Sequence, residues 1–205
     1  MYRIGSSGEG KVIFFSAIGD SLTSGVGAGS YEDSFPYLAA KMLARREGAE
    51  VVLKNNSYPG ARTDDVIRDL LSDAISGQPD MVMLLIGTND IHGRVGLEKF
   101  RENYKTILER LSRETKARIY VISIPFIGSD TLYLPPYGTY FESMTIEYNR
   151  AVKELTEAYG AKYIDIAGPT KGLFQKDGEH YSADLFHPSS KGYGVWADLI
   201  YGDLD

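Results

Sequence analysis

The chain has 205 residues, 43% of them apolar, which suffices for a buried core and fits one domain over 1–205 better than two. Its 28 acidic and 22 basic residues leave a formal charge of −6 with no Lys/Arg-rich block, which argues against nucleic acid as a partner. The absence of cysteine excludes disulfides, thiolate metal sites and thiol catalysis together.

In chain order, "MYRIGSSGEGK" opens without an apolar signal core, and no later apolar run approaches a membrane span. These features predict a soluble, cytoplasmic chain, unless a leader has been trimmed. "KVIFFSAI" reads as a first strand and runs into "GDSLTSGVGAGS". "SFPYLAAKMLARREG" reads as a helix, with Ser34 as N-cap, Pro36 in the first turn and Gly48 as the stop. A second strand, "AEVVLKN", leads through "NNSYPGAR" to the helix "TDDVIRDLLSDAISG", which opens at Thr63 and closes at Gly77. "DMVMLLI" is a third strand and meets "GTND" before the helix "LEKFRENYKTILERLSRET". "ARIYVISI" is a fourth. It is followed by "PFIGSDTLYLPPYGTY", Pro125 to Tyr140, a connection far longer than a crossover needs, and such loops are usually functional. The helix "FESMTIEYNRAVKELTEAYG", the strand "AKYIDIA", the segment "DLFHPS" and a last helix, "SSKGYGVWADLIY", complete the chain.

Strands that are continuously apolar and alternate with helices specify a parallel sheet covered on both faces. In such a sheet ligands bind beyond the carboxyl ends of the strands. The residues that stand there are Gly19-Asp20-Ser21, Gly60, Asn89, and Asp184 with His187.

A serine hydroxyl becomes a useful nucleophile only when a neighbouring base takes its proton. His187 has Asp184 three residues before it, a spacing that lets the carboxylate accept the Nδ1 proton and leaves Nε2 for Ser21. Pro188 restricts the backbone of that histidine. Donors for a developing oxyanion are the backbone N–H groups of Ser21 and Gly60 and the side-chain amide of Asn89. Asp20 reads as a turn-bracing residue, and His92 and His180 read as solvated loop histidines.

With these blocks in order, the sequence resembles the GDSL, or SGNH, hydrolase family: "GDSL" at Gly19 to Leu22, Gly60 with Asn56 ahead of it, "GTND" at Gly87 to Asp90 and "DLFHP" at Asp184 to Pro188. The resemblance implies a three-layer α/β/α, flavodoxin-like fold with a five-stranded parallel sheet. It also implies ester hydrolysis through an acyl-enzyme, with Ser21, His187 and Asp184 as the triad, Ser21, Gly60 and Asn89 as the oxyanion hole, and neither cofactor nor metal.

The substrate is expected to be a small-molecule ester with a short or medium acyl group. Sugar O-deacetylation and thioester or lysophospholipid hydrolysis are the alternatives on the same fold. Leu132, Tyr133, Leu134, Tyr137 and Tyr140, together with Tyr31, Phe35 and Tyr37, are candidates to line an acyl pocket, to stack on a sugar, or simply to pack. A non-catalytic nucleotide- or flavin-binding module is the reading from another class, but "GVGAG" at 25–29 stands too late after the strand and lacks a P-loop lysine. Oligomeric state is not legible from the sequence.

Overall fold

The computed structural model describes residues 1–5, 10–126, 128–176 and 178–204. Ile127, inside the long connection after the fourth expected strand, lies outside the described residues, as does part of the N-terminal segment read for a signal.

Six strands form one sheet: β1 Tyr2–Ile4, β2 Val12–Gly19, β3 Glu50–Ser57, β4 Met81–Leu85, β5 Arg118–Ile122 and β6 Lys162–Ile164. Their spatial order is β1-β3-β2-β4-β5-β6. The last five are parallel and correspond to the five expected strands, in flavodoxin-like order. The sixth is a correction to the five-stranded expectation. β1 adds antiparallel to β3 at the sheet edge, with Tyr2 opposite Leu53 and Ile4 opposite Val51. Three residues are too few to show a period, and what holds them is tertiary. Tyr2 stacks on Tyr31 at 4.5 Å and meets Tyr37 edge-on at 5.7 Å, Arg3 pairs with Glu50 at 2.9 Å, and Ile4 is buried.

The helices are α1 Ser21–Ser24, α2 Phe35–Glu47, α3 Thr63–Asp65, α4 Leu71–Ser76, α5 Thr88–His92, α6 Leu97–Glu114, α7 Tyr137–Ala158, α8 Ala167–Lys176 and α9 Ser190–Asp203. A π-helical turn, Val66–Leu70, joins α3 to α4, so the single helix expected over 63–77 is interrupted. Ser34 stands at the N-cap of α2, but its hydroxyl donates to Tyr31 O at 2.6 Å rather than capping. α7 begins four residues before the expected helix start, at Tyr137, and shortens the long connection.

Side chains of β4 show why the strands read as apolar throughout. Met81, Met83 and Leu85 pack with α2 and α9 through Phe35, Leu43, Trp196 and Ile200, while Val82 and Leu84 pack with α6 and α7 through Phe100, Leu108, Tyr148 and Val152. Both faces are covered, so both sets of alternating residues must be apolar. No helix among the described residues is long and apolar enough to cross a membrane.

Candidate active site

The strand order reverses at β2, which lies between β3 and β4, and in open α/β sheets ligands bind beyond the carboxyl ends at such a switch point. Register makes the rim even: Gly19 stands level with Ser57 of β3 and Leu85 of β4. The residues that follow each strand therefore meet at one height.

Ser21 is the first residue of α1. Asp20 caps that helix, its Oδ1 accepting the Leu22 N–H at 3.0 Å, and Gly25 closes it with a φ of 79°. His187 arrives on a folded-back loop in which Ser182 N donates to His187 O at 2.8 Å and Ser189 N to His180 O at 2.9 Å. Inside the loop, Asp184 Oδ1 accepts from Ser182 Oγ at 2.8 Å and from the Phe186 and His187 N–H groups at 2.9 Å. Its Oδ2 lies 2.6 Å from His187 Nδ1. Burial pushes the Asp184 carboxyl up, but the His187 ring, two backbone amides and the Ser182 hydroxyl together hold it well below the usual carboxylate range. A carboxylate only accepts, so Nδ1 carries the proton and Nε2 presents its lone pair to Ser21 Oγ, 3.0 Å away. At Gly27, φ is 93°, and a Cβ there would stand 2.5 Å from Pro188 O and 2.9 Å from His187 Cβ. The "GVGAG" segment thus passes directly behind the histidine, an approach that only glycine permits.

Gly60 follows β3, and Asn89 lies in α5 after β4. Gly60 holds a φ of 85° with nothing within 4 Å of where a Cβ would stand. Asn89, in α5, donates from Nδ2 to Ala61 O at 3.0 Å and to Asp20 Oδ2 at 3.3 Å. Asp90 accepts from Thr63 Oγ1 at 2.6 Å and Thr63 N at 3.0 Å, and Asn103 supports Thr63 Oγ1 at 3.0 Å. Burial pushes Asp20 up to about 7, with the charge of Asp90 adding to it, and burial likewise lifts Asp90 to about 6. Asn56 stays inside β3, accepting from Ser16 Oγ at 3.1 Å and donating to Asp73 at 2.6 Å.

Of the sequence-selected site residues, Ser21, His187 and Asp184 are joined by hydrogen bonds, and Asn89 is bonded to the chain neighbours of Ser21 and Gly60, Asp20 beside the first and Ala61 beside the second. Asp20, read as a turn brace, is wholly buried and also touches Asn89. The signal that singles it out is burial, which a turn motif does not reveal. His92 is half-buried and His180 is buried, against the expectation of solvated loop residues. His92 Nδ1 bonds to Thr88 O at 2.8 Å and Nε2 to Tyr133 OH at 3.0 Å, its ring lies 4.4 Å from Phe141, and burial holds it below the usual imidazole range. His180 is buried against Phe174.

A cavity of about 360 Å³ lies beside α5, lined among others by His92, Phe126, Asp130, Tyr133, Phe141 and Glu142. Of the aromatic and aliphatic candidates, only Tyr133 lines it. Leu132, Leu134, Tyr137 and Tyr140 are exposed, Phe35 is buried against Tyr193 and Trp196, and Tyr31 and Tyr37 clasp Tyr2.

The model of the GDSL-like Lipase/Acylhydrolase family matches residues 17–195. A GDSL-like esterase of Mycobacterium tuberculosis is 27% identical over 185 residues, 89% of this chain, which spans 59% of that protein's length. A spore germination lipase of Bacillus licheniformis is 28% identical over 216 residues, 93% of this chain and 98% of the lipase. Among solved structures, a lipase/acylhydrolase from Enterococcus faecalis is similar with a TM-score of 0.73 at 24% identity, covering 93% of this chain and 94% of that one. An acetylxylan esterase from Geobacillus stearothermophilus is similar with a TM-score of 0.72 at 20% identity, covering 98% and 96%. The match over 17–195 shows that the chain belongs to the GDSL-like Lipase/Acylhydrolase family, and with it to the ester hydrolases.

Proposed function

We propose that the chain cleaves small-molecule carboxylic esters of short or medium acyl length through an acyl-enzyme on Ser21, acting in the cytoplasm as one domain over 1–205. The observation that carries this reading is the relay of 2.6 Å from Asp184 to His187 and 3.0 Å from His187 to Ser21 Oγ. Ser21 Oγ attacks the ester carbonyl carbon while His187 Nε2 takes its proton, and the carbonyl π pair moves onto oxygen. The N–H groups of Ser21 and Gly60 and the Asn89 amide hold that oxyanion. Collapse re-forms the carbonyl, breaks the bond to the leaving oxygen and passes the Nε2 proton to it. Water, deprotonated by the same nitrogen, then attacks the acyl-enzyme and releases the acid, returning the proton to Ser21. Asp184 stays ionised throughout and stabilises the imidazolium at each step.

A second reading, removal of acyl groups from sugars, is favoured by one observation. The cavity beside α5 brings the carboxylates of Asp130 and Glu142 together with aromatic rings, a lining that suits hydroxyls and sugar faces better than a long alkyl chain.

The test of the serine mechanism is intact mass after treatment with a fluorophosphonate, with Ser21→Ala as control. One adduct on the parent chain and none on the variant is the expected outcome. An unlabelled, folded parent chain removes the mechanism. Comparing acetylated xylo-oligosaccharide with butyrate and hexanoate esters then separates the two readings, since the first favours the simple esters and the second the acetylated sugar.

A further inference from the structure

Asp20 is a buried acid at the rim to which the proposed chemistry gives no part. Its carboxylate accepts from Leu22 N–H at 3.0 Å and from Asn89 Nδ2 at 3.3 Å, and its own backbone N–H also favours the charged form. The first is a helix cap. Serine or threonine would supply that cap as well, and neither would bring an ionisable group into the interior, where desolvation penalises its charge. Capping alone therefore does not call for the second oxygen, which faces Asn89. The other hydrogen of the same amide goes to Ala61 O at 3.0 Å, one residue beyond Gly60. The Asn89 amide is thus suspended between the loop that carries Ser21 and the loop that carries Gly60. Of its two bonds, the one to Asp20 is the longer and the easier to exchange.

We propose that Asp20 is a positioning residue of the oxyanion hole, whose second carboxylate oxygen fixes the Asn89 amide beside Ser21 and yields it when the oxyanion forms. The proposal rests on the serine-hydrolase reading above and concerns only how the Asn89 donor is held. Burial supports it, because it pushes the Asp20 carboxyl up to about 7. A group that is partly protonated near neutral pH sets less negative charge beside a developing oxyanion than an ordinary aspartate would.

Asp20→Ser separates the two roles, since a serine keeps the cap on Leu22 and is too short to reach Asn89. Kinetics on p-nitrophenyl butyrate should show kcat lowered on the order of 10²-fold with KM within about twofold, as for loss of an oxyanion donor. The double variant Asp20→Ser/Asn89→Ala should be no slower than Asn89→Ala alone, within about threefold, because residues that act through one another do not add. Losses that multiply, or a kcat that stays at the parent level in Asp20→Ser, overturn the proposal.

A second readout needs no activity. The Asn89 side-chain amide pair in a ¹H–¹⁵N spectrum, assigned by its disappearance in Asn89→Ala, should shift in Asp20→Ser. An unmoved pair overturns the proposal. A parent chain without esterase activity overturns the serine-hydrolase reading instead, and the spectrum still decides the role of Asp20. Should Asp20→Ser not fold, Asp20→Thr caps as well, falls equally short, and takes its place with the same outcomes.

Discussion

On the proposed mechanism, removal of Asn89 isolates oxyanion stabilisation most cleanly. Its side chain leaves Ser21, His187 and Asp184 untouched, and its two hydrogen bonds end on a backbone carbonyl and on Asp20. Asn89→Ala should lower kcat on the order of 10²- to 10³-fold with KM little changed, measured by steady-state ester hydrolysis. A kcat equal to that of the parent chain removes Asn89 from the mechanism. At this scale the sequence singled out Ser21, His187 and Asp184 by residue type and position at strand ends, and these three are joined by hydrogen bonds in the fold. What it hid were the residues defined by their surroundings. Asp20 sits next to the serine in every reading of the motif, yet only burial reveals that its second oxygen meets Asn89. His92 looked like a loop residue because its partners, Tyr133, Phe141 and Phe186, are 41, 49 and 94 positions away along the chain.

At the scale of elements, the five parallel strands were legible from their apolar runs, and the edge strand β1 was not. Its stability comes from aromatic rings on a distant segment rather than from its own three residues. Tyr2→Ala should therefore destabilise the chain by about 1 kcal/mol, the worth of the stacked and edge-on ring contacts it loses, while kcat stays unchanged because β3 separates the edge strand from β2 and its catalytic rim. Urea unfolding gives the first quantity. Hydrogen exchange gives the location: the amides of Val51 and Leu53, in the β3 stretch that β1 covers, should exchange faster. Unchanged protection there would mean that β1 is held without Tyr2. The interruption of the helix over 63–76 escaped the sequence for a related reason, since each of its turns is individually helix-compatible. Its first turn is tied down by Thr63, whose hydroxyl and N–H both donate to Asp90 of α5.

For the molecule as a whole, the flavodoxin-like order of the parallel strands follows from crossover geometry and was legible in the alternation of strands and helices. The electrostatic character of the rim was not, because it depends on how far water is excluded. Two buried carboxyls there, Asp20 at about 7 and Asp90 at about 6, are both raised by burial, so the folded state holds their protons more tightly than the unfolded state does. The stability they contribute is complete below the ordinary carboxylate range and is lost as pH rises through about 6 and then about 7. Asp184 works in the opposite sense. Its lowered value contributes stability above the ordinary carboxylate range and withdraws it as pH falls below that range. The two trends should place maximal stability near the ordinary carboxylate range, about pH 4, with a decline from there that levels off once pH has passed about 7. Urea midpoints measured from pH 4 to 8 check the slope. Asp20→Asn, which carries no ionisable proton, should flatten the part of the decline nearest neutrality, whereas an identical slope in that variant would mean that Asp20 is already ionised throughout and that its burial is offset by solvation from its neighbours.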